Sequence, residues 1–418
     1  MSSTLRAVRA QLVRQVSHWS AAVDELRDLG RLASPQAWKG LERYLNTAVE
    51  SSMRSALDRL RRQCDVVKAR LAAAETESEI AGVRRELLVF RRRYLAVETT
   101  LDFYGDAINT RTNPTLATYL SACDWLARES MRVLLEPLGI QTPPVLTYLE
   151  KGEGAAILRA DQPLWDGRTL SPVAAIRIVR HNLFRPTSLI HETGHQALHL
   201  VAWVPELAAA LQTGVPGPEL GRLWAGWASE IAADAYAFVH TGYAALAALH
   251  DVLAAGADWV LSVRPVDPHP TGYLRVLLGH AMCRRFFGAG HWDSLAQAWT
   301  HVYRIEDADA ASAPILQASV PRLPAIAEIV LERPYTAFRG KSLSELIDPA
   351  RVRPDALDAL ARAGGRALYQ SSDWVRRESL RLLALCGYQA AVDPERGSDV
   401  FRDQQEWMGT LGQLAVAA

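Results

Sequence analysis

The chain has few cysteines and no cysteine pair at metal-binding or redox spacing. Only four of its 418 residues are cysteines, and no two of them form a CxxC motif. Scattered single cysteines are typical of a reducing compartment, where disulfides are rare. We therefore expect reduced core or surface thiols, and neither a disulfide framework nor a thiolate metal site. The four are Cys64, Cys123, Cys283 and Cys386.

The chain also has no excess of charge of either sign. The 46 Lys and Arg residues balance 46 Asp and Glu residues, so the formal net charge is zero. A nucleic-acid-binding protein usually carries a basic patch that raises its net charge. No nucleic-acid partner is therefore expected.

Long apolar runs are scarce too. The first residues contain no apolar core of a secretory signal peptide. The stretches 197–204 and 243–256 look the most apolar, and both are shorter than the roughly 18–20 residues that span a bilayer. These observations predict a cytoplasmic protein without a membrane span.

One short motif says most about function. Residues 191–195 read His-Glu-Thr-Gly-His. On a helix, His191 and His195 lie on one face about one turn apart, so both rings can reach one metal ion. Glu192 lies beside them, where its carboxylate can accept a proton from a water molecule at the metal. The alternative is a pair of ordinary surface or core histidines. The helical pattern after Pro186, with a Thr or Ser cap, favours the metal site.

Glu230 is the candidate for a third metal ligand. Metzincins continue this motif to a glycine and a third histidine, but Leu198 and Val201 occupy those positions. A glutamate on a second helix is instead the gluzincin arrangement. Asp234 lies one helical turn after Glu230, where it can accept a hydrogen bond from a ligand imidazole. The alternative is a solvated acidic pair, but apolar flanks such as Trp227 favour buried acids that need partners.

A third segment, 267–276, reads Asp-Pro-His-Pro-Thr-Gly-Tyr-Leu-Arg-Val. Together, HExGH, ExxAD and a His-Pro followed by Arg six residues after the His resemble the family of the CAAX prenyl proteases and the bacterial heat-shock membrane proteases. The resemblance covers about residues 175–280. Members of that family are usually embedded in a membrane, whereas no membrane span is expected here. The substrate class therefore does not carry over.

The resemblance implies roles for individual residues. One Zn²⁺ ion per chain would be bound by three ligands, and Asp234 would hold the ring of His191. His269 would stabilise the oxyanion, with Tyr273 as an alternative donor, and Arg275 would support the site. The other interpretation of this segment is a proline-rich turn that starts a helix, with His269 near its cap. The three implied ligands are His191, His195 and Glu230.

Hydrophobic periodicity predicts the fold class, which is mainly α with a small β-sheet (α+β). Apolar residues at spacings of three and four predict helices over 38–73 and 77–104 that form a long antiparallel hairpin. Its arginine runs indicate a solvated face or, alternatively, a surface for a protein partner. Further helices are expected over 115–136, 219–240, 243–255, 272–287, 291–303 and 342–417.

Three strands are expected before the HExxH helix, over 145–149, 155–159 and 174–179. A small sheet that leads into the metal-binding helix resembles the zincin fold. The last strand either offers its edge to an extended peptide or is a fully paired internal strand. The resulting domains are an N-terminal helical domain with the hairpin, a zincin-like catalytic core and a C-terminal helical region. Their boundaries are 1–136, 137–310 and 311–418.

These features predict a soluble zinc metallopeptidase of the gluzincin type that acts on a peptide or protein substrate. An endopeptidase is favoured over an aminopeptidase, because the Gly-x-Met-Glu-Asn motif that binds a substrate amine is absent. Two alternatives remain open. One is a zinc-bearing interaction or scaffold protein with little turnover. The other is a latent protease that a partner releases.

Overall fold

The structure is a computed structural model whose described residues are mainly α-helical with a small β-sheet, which confirms the predicted fold class. The residues fall into two compact units, so the predicted division into three domains stays a prediction. The structure describes residues 2–45, 48–149, 156–158, 173–183, 186–264 and 267–417. The first unit comprises 1–113, 143–148 and 158–175, and the second comprises 114–142, 149–157 and 176–418.

Four helices dominate the first unit. Thr76 and Glu79 form a capping box that starts the helix Glu77–Thr110 (α4). Buried residues recur along this helix and along Val49–Ala73 (α3) at spacings of three and four, so each helix presents one continuous apolar stripe. The two helices pack against each other, as the predicted hairpin requires, and α1 packs on both. The helices are α1 Ser3–Leu26, α2 Pro35–Leu45, α3 Val49–Ala73 and α4 Glu77–Thr110.

Two details of the predicted hairpin are wrong. The single helix expected over 38–73 is two helices, α2 and α3. The apolar pattern that predicts the helix over 77–104 includes Leu88 and Leu95, but these side chains are 49% and 42% exposed. Each follows a buried stripe residue, Leu87 or Tyr94, and one residue turns the side chain by about 100° around a helix. The stripe is therefore narrower than the sequence pattern indicates.

Several arginines of the hairpin make hydrogen bonds within their own unit. Arg61 Nη1 donates to Asp24 Oδ2 at 2.5 Å, and Arg93 Nη1 donates to Gln63 Oε1 at 3.0 Å. Such exposed pairs contribute little stability and are typical of a solvated helix face. A protein partner on this face stays a prediction.

Three strands form the small sheet. They are β1 Val145–Leu149, β2 Ala156–Leu158 and β3 Ala174–Ile178, in the order β1-β3-β2. The three predicted strands are thus confirmed to within a residue or two. Because β3 lies between the other two, its backbone is paired on both sides. The interpretation of β3 as an edge that adds a peptide strand is therefore wrong.

The second unit is built from helices. The helix expected over 219–240 is interrupted at Trp227 and forms two helices, Pro218–Gly226 and Ala228–Thr241. The C-terminal region is packed, since Leu382, Leu383 and Leu385 are buried. The helices are α5 Pro114–Leu135, α6 Thr187–Leu200, α7 Trp203–Gly214, α8 Pro218–Gly226, α9 Ala228–Thr241, α10 Tyr243–Leu253, α11 Ala257–Val260, α12 Gly272–Phe287, α13 His291–Val302, α14 Ser312–Ser319, α15 Leu323–Leu331, α16 Leu343–Leu346, α17 Pro354–Gly364, α18 Ala367–Gln370, α19 Ser372–Val392 and α20 Gly397–Ala417.

One segment of the described chain, Ser312–Leu331, is long and apolar enough to cross a membrane by length and composition alone. It was not among the apolar stretches singled out in the sequence. It consists of α14, a 3-10 turn and α15, and Pro321 lies in the turn. Ile326 and Val330 on α15 are fully buried, so packing within the protein accounts for part of its apolar character. A core helix satisfies the same criteria, so this segment is weak evidence for a membrane span.

Candidate metal centre

The two motif helices, α6 and α9, lie against each other at a glycine. A Cβ atom on Gly194 would lie 3.0 Å from Cδ1 of Tyr236 on α9. That is closer than ordinary van der Waals contact, so a larger residue would require the Tyr236 side chain or the helices to shift. The glycine within His-Glu-Thr-Gly-His therefore allows α9 to approach the histidine-bearing face of α6. This approach brings Glu230 to the two histidines.

His191, His195 and Glu230 converge on one point. The Nε2 atom of His191 lies 3.4 Å from Oε2 of Glu230, and Nε2 of His195 lies 3.3 Å from Oε1. One ligand atom from each of the three residues lies within 4.8 Å of the other two, and the side chains are nearly buried. Two imidazole nitrogens and a carboxylate at this separation could hold one metal ion.

Each histidine ring is also held at its other nitrogen. Nδ1 of His191 lies 2.9 Å from Oδ1 of Asp234, the contact that the ExxxD spacing predicts. Nδ1 of His195 lies 3.3 Å from the hydroxyl of Ser229. A partner at Nδ1 sets the ring orientation and leaves Nε2 to face the metal position. Both rings are thus oriented as ligands.

Arg275 completes the support of the centre. Its Nε and Nη2 atoms donate to the two carboxylate oxygens of Asp234 at 2.8 and 2.7 Å, and Nη2 lies 3.9 Å from Glu230 Oε2. This bidentate contact fixes the plane of the Asp234 carboxylate. Arg275 therefore acts on His191 through Asp234.

The electrostatics of the centre favour positive charge. Burial disfavours a charged His191 ring, but hydrogen bonds to Asp234 and Glu230 outweigh it and raise the pKa of His191 to about 9. Burial alone would raise the pKa of Glu230, but the hydrogen bond from His191 holds it at about 2. The pKa of Asp234 is likewise lowered, because Arg275 outweighs burial. Two buried carboxylates that stay ionised suit a bound cation.

His269 faces the same point from the segment before α12. Its Nε2 atom lies 3.6 Å from Glu230 Oε1, while its side chain remains 53% exposed. Asp267 holds the ring, since its Oδ1 accepts the backbone N–H of His269 at 3.0 Å and lies 2.7 Å from Nδ1. His269 is therefore oriented toward the centre and accessible from solvent.

Tyr273 is turned away from the centre. It is 3% exposed and is not among the described residues that line the cavity at the metal ligands. Burial raises the pKa of its hydroxyl, and the negative charge of Glu306 raises this pKa further. Tyr273 and Arg275 are two residues apart on α12, about 200° around the helix, so they face opposite sides. The structure thus brings His269, but not Tyr273, to the centre.

Glu192 lines a cavity of about 320 Å³ that also contains the three candidate ligands and His269. Burial raises the pKa of the Glu192 carboxyl above its ordinary value, although the neighbouring His191 opposes the shift. A carboxylate with a raised pKa accepts protons more readily than a solvated one. Its place beside the ligands suits a general base.

Three further residues lie at this centre that are not among the residues predicted from the sequence. They are Ser229 at the Nδ1 atom of His195, Asp267 at the ring of His269, and His181, which lines the cavity. Two of them lie close in sequence to predicted site residues, because Ser229 directly precedes Glu230 and Asp267 precedes His269 by two residues. His181 lies further in sequence from the predicted site residues, and the packing of the 3-10 turn Arg180–Asn182 brings it to the cavity.

Comparisons with protein-family models, with curated proteins and with solved structures find no match for this chain. The function of the chain is therefore inferred from the geometry of its described residues.

Proposed function

We propose that the chain is a cytoplasmic, zinc-dependent metallopeptidase of the gluzincin type that cleaves peptides as an endopeptidase. The observation that carries the proposal is the convergence of two imidazole Nε2 atoms on the Glu230 carboxylate, with Glu192 beside them in an open cavity. Two histidines and a glutamate are a catalytic zinc ligand set, which leaves a coordination position for water or substrate. Structural zinc sites usually fill all four positions with protein ligands, which argues against a purely structural role.

The mechanism follows from where the side chains lie. His191, His195 and Glu230 would hold a zinc ion, which would lower the pKa of a bound water molecule toward about 7 and polarise a carbonyl group. Glu192 accepts the proton of the attacking water and later returns it to the leaving amine. Asp267 accepts the Nδ1–H of His269, and the ring, protonated at both nitrogens, donates from Nε2 to the oxygen that becomes negatively charged in the transition state. Asp234 and Arg275 keep the ring of His191 in place.

His269 should matter mainly in the transition state. We expect His269→Ala to lower kcat by about 10²–10³-fold, because an oxyanion donor acts where negative charge develops. KM should change much less, and the zinc content should stay at one ion per chain. The measurement is steady-state peptide hydrolysis with metal analysis of the same samples. His301→Ala, an exposed histidine on α13, is the control and should behave as wild type. Unchanged kcat in His269→Ala would exclude the oxyanion role.

Asp234 should tune the affinity for the metal. In Asp234→Asn the negative charge at Nδ1 of His191 is lost while the shape is kept, so we expect zinc affinity to fall about 10–100-fold. Both variants remove the carboxylate partner of the buried Arg275, and Asp234→Ala also removes the acceptors of its hydrogen bonds, which typically costs about 3–5 kcal/mol of unfolding free energy. Chelator competition measures the first effect, and denaturant unfolding of the metal-free protein measures the second. Wild-type zinc affinity in Asp234→Asn would show that this hydrogen bond does not support the metal.

The function is tested directly with peptides. Purified zinc-loaded protein is incubated with a peptide mixture made from a digested cell extract, and new termini are identified by mass spectrometry. Cleavage should require zinc and disappear after chelation, returning when zinc is restored. If the zinc-loaded protein produces no new termini, the peptidase proposal is wrong and a zinc-bearing interaction protein is favoured.

A further inference from the structure

The cavity at the metal ligands, here called the metal-side cavity, has one polar and one apolar side. The polar side carries the candidate ligands, Glu192 and His269. Asp234 of α9 and Arg275 of α12 line the cavity together with the candidate ligands, while the apolar side is formed by residues of α9, α10 and α12. A polar substrate group placed there would lose its hydration without gaining a partner. The larger apolar residues are Phe238, Leu246, Leu249, Val252, Leu278 and Met282.

Small residues create the space of this cavity. A Cβ atom on Gly279 of α12 would lie only 2.8 Å from Cδ1 of Leu246 on α10, so a glycine allows the two helices to approach. Ala245 and Ala248 also line the cavity, where longer side chains would fill it. The volume of about 320 Å³ lies at the lower end of ligand-binding cavities and suits a large side chain.

A second apolar cavity, here called the C-terminal cavity, adjoins the first. It has a volume of about 200 Å³ and shares Thr187 and Ala248 with the metal-side cavity. Its outer wall comes from α19 and α20, through residues such as Leu383, Val400 and Phe401. Phe401 is 44% exposed, so a large aromatic side chain stands at the rim. The C-terminal helices thus line a cavity that shares two residues with the cavity at the metal ligands.

We propose that the substrates are peptides with two large apolar side chains near the cleaved bond, one in each cavity. The proposal rests on the proposed peptidase function and adds its specificity. Two cavities that share only Ala248 and Thr187 as lining residues suit two separate side chains, whereas one long lipid chain would need a continuous channel. The C-terminal helices would then determine specificity although they carry no catalytic residue.

The preference is measured first with the unmodified, zinc-loaded protein. In a peptide library we expect Phe, Leu and Met to be enriched at two positions around the cleaved bond. Replacing either residue by Ala in a cleaved peptide should lower kcat/KM about 10–100-fold, the factor expected when one large apolar side chain is no longer buried.

Two substitutions, each of which fills one cavity with a large side chain, test which cavity accepts which substrate residue. Ala245 lines only the metal-side cavity and Ala390 lines only the C-terminal cavity. We expect Ala245→Phe and Ala390→Phe each to abolish the apolar preference at one of the two positions and to leave the zinc content unchanged. Ala254→Phe, at the exposed end of α10, is the control. If a Phe variant does not fold, Ala245→Val and Ala390→Leu make the same comparison with less added volume.

The outcomes separate this inference from the function on which it rests. Cleavage without a preference for apolar residues, or Ala390→Phe with the wild-type preference, overturns the two-cavity proposal and leaves the peptidase intact. A second readout is binding of the same peptides to zinc-loaded Glu192→Gln protein. Apolar-selective binding without any cleavage by the wild type supports the cavities and overturns the peptidase. Inhibition by a fatty acid with no dependence on peptide side chains would overturn the proposal in favour of a lipid chain.

Discussion

Glu192→Gln should abolish peptide hydrolysis while the protein keeps its metal and its fold. Glutamine has nearly the shape of glutamate but cannot accept the proton of the attacking water. Glu192 lines the cavity beside the three candidate ligands without being one of them, so the ligand set is unaltered. Loss of general-base catalysis typically costs about 10²–10⁴-fold, and we expect kcat to fall by at least this factor. Hydrolysis of a peptide that the wild type cleaves measures the effect.

The matched control is Glu219→Gln, which makes the same substitution at an exposed position on α8. It should hydrolyse the peptide at the wild-type rate. Zinc content, measured on the same samples, separates a defect in chemistry from a defect in metal binding. Undiminished cleavage by Glu192→Gln would mean that the activity belongs to another site or to a contaminant.

Removal of a metal ligand, unlike Glu192→Gln, should abolish both metal binding and peptide hydrolysis. Glu230→Ala leaves only His191 and His195 to bind the ion. Outer-shell losses typically cost about 10–100-fold in affinity, so the loss of a direct ligand should exceed that range. We expect less than a tenth of the chains to retain zinc after dialysis, as measured by elemental analysis. His191→Ala and His195→Ala should lose zinc in the same way.

Two further variants serve as controls for the loss of zinc in Glu230→Ala. Glu230→Gln keeps the volume of the side chain and replaces the carboxylate with a neutral amide, so it should also lose zinc even if Glu230→Ala is unstable. Glu219→Ala, at an exposed position, should keep one zinc ion per chain. Full zinc occupancy in both Glu230 variants would eliminate Glu230 as a ligand and the gluzincin arrangement with it.

The sequence by itself determined the parts of the centre that depend on helix geometry alone. The spacing of four residues places His191 and His195 on one face, and the same spacing relates Glu230 to Asp234. These relations hold wherever the helices lie, because the backbone hydrogen bonds set them. The three strands and the stripes of α3 and α4 could be predicted for the same reason, since each follows from a local period.

Only the tertiary structure decided which groups from distant segments meet. It turns Nε2 of His269 toward Glu230 and turns Tyr273 away, although both residues belong to one short segment. It pairs Arg275 with Asp234, 41 residues away, and brings α19 and α20 to the cavity beside the metal ligands. No local pattern encodes these contacts, because they depend on how helices separated in sequence pack against one another at residues such as Gly194 and Gly279.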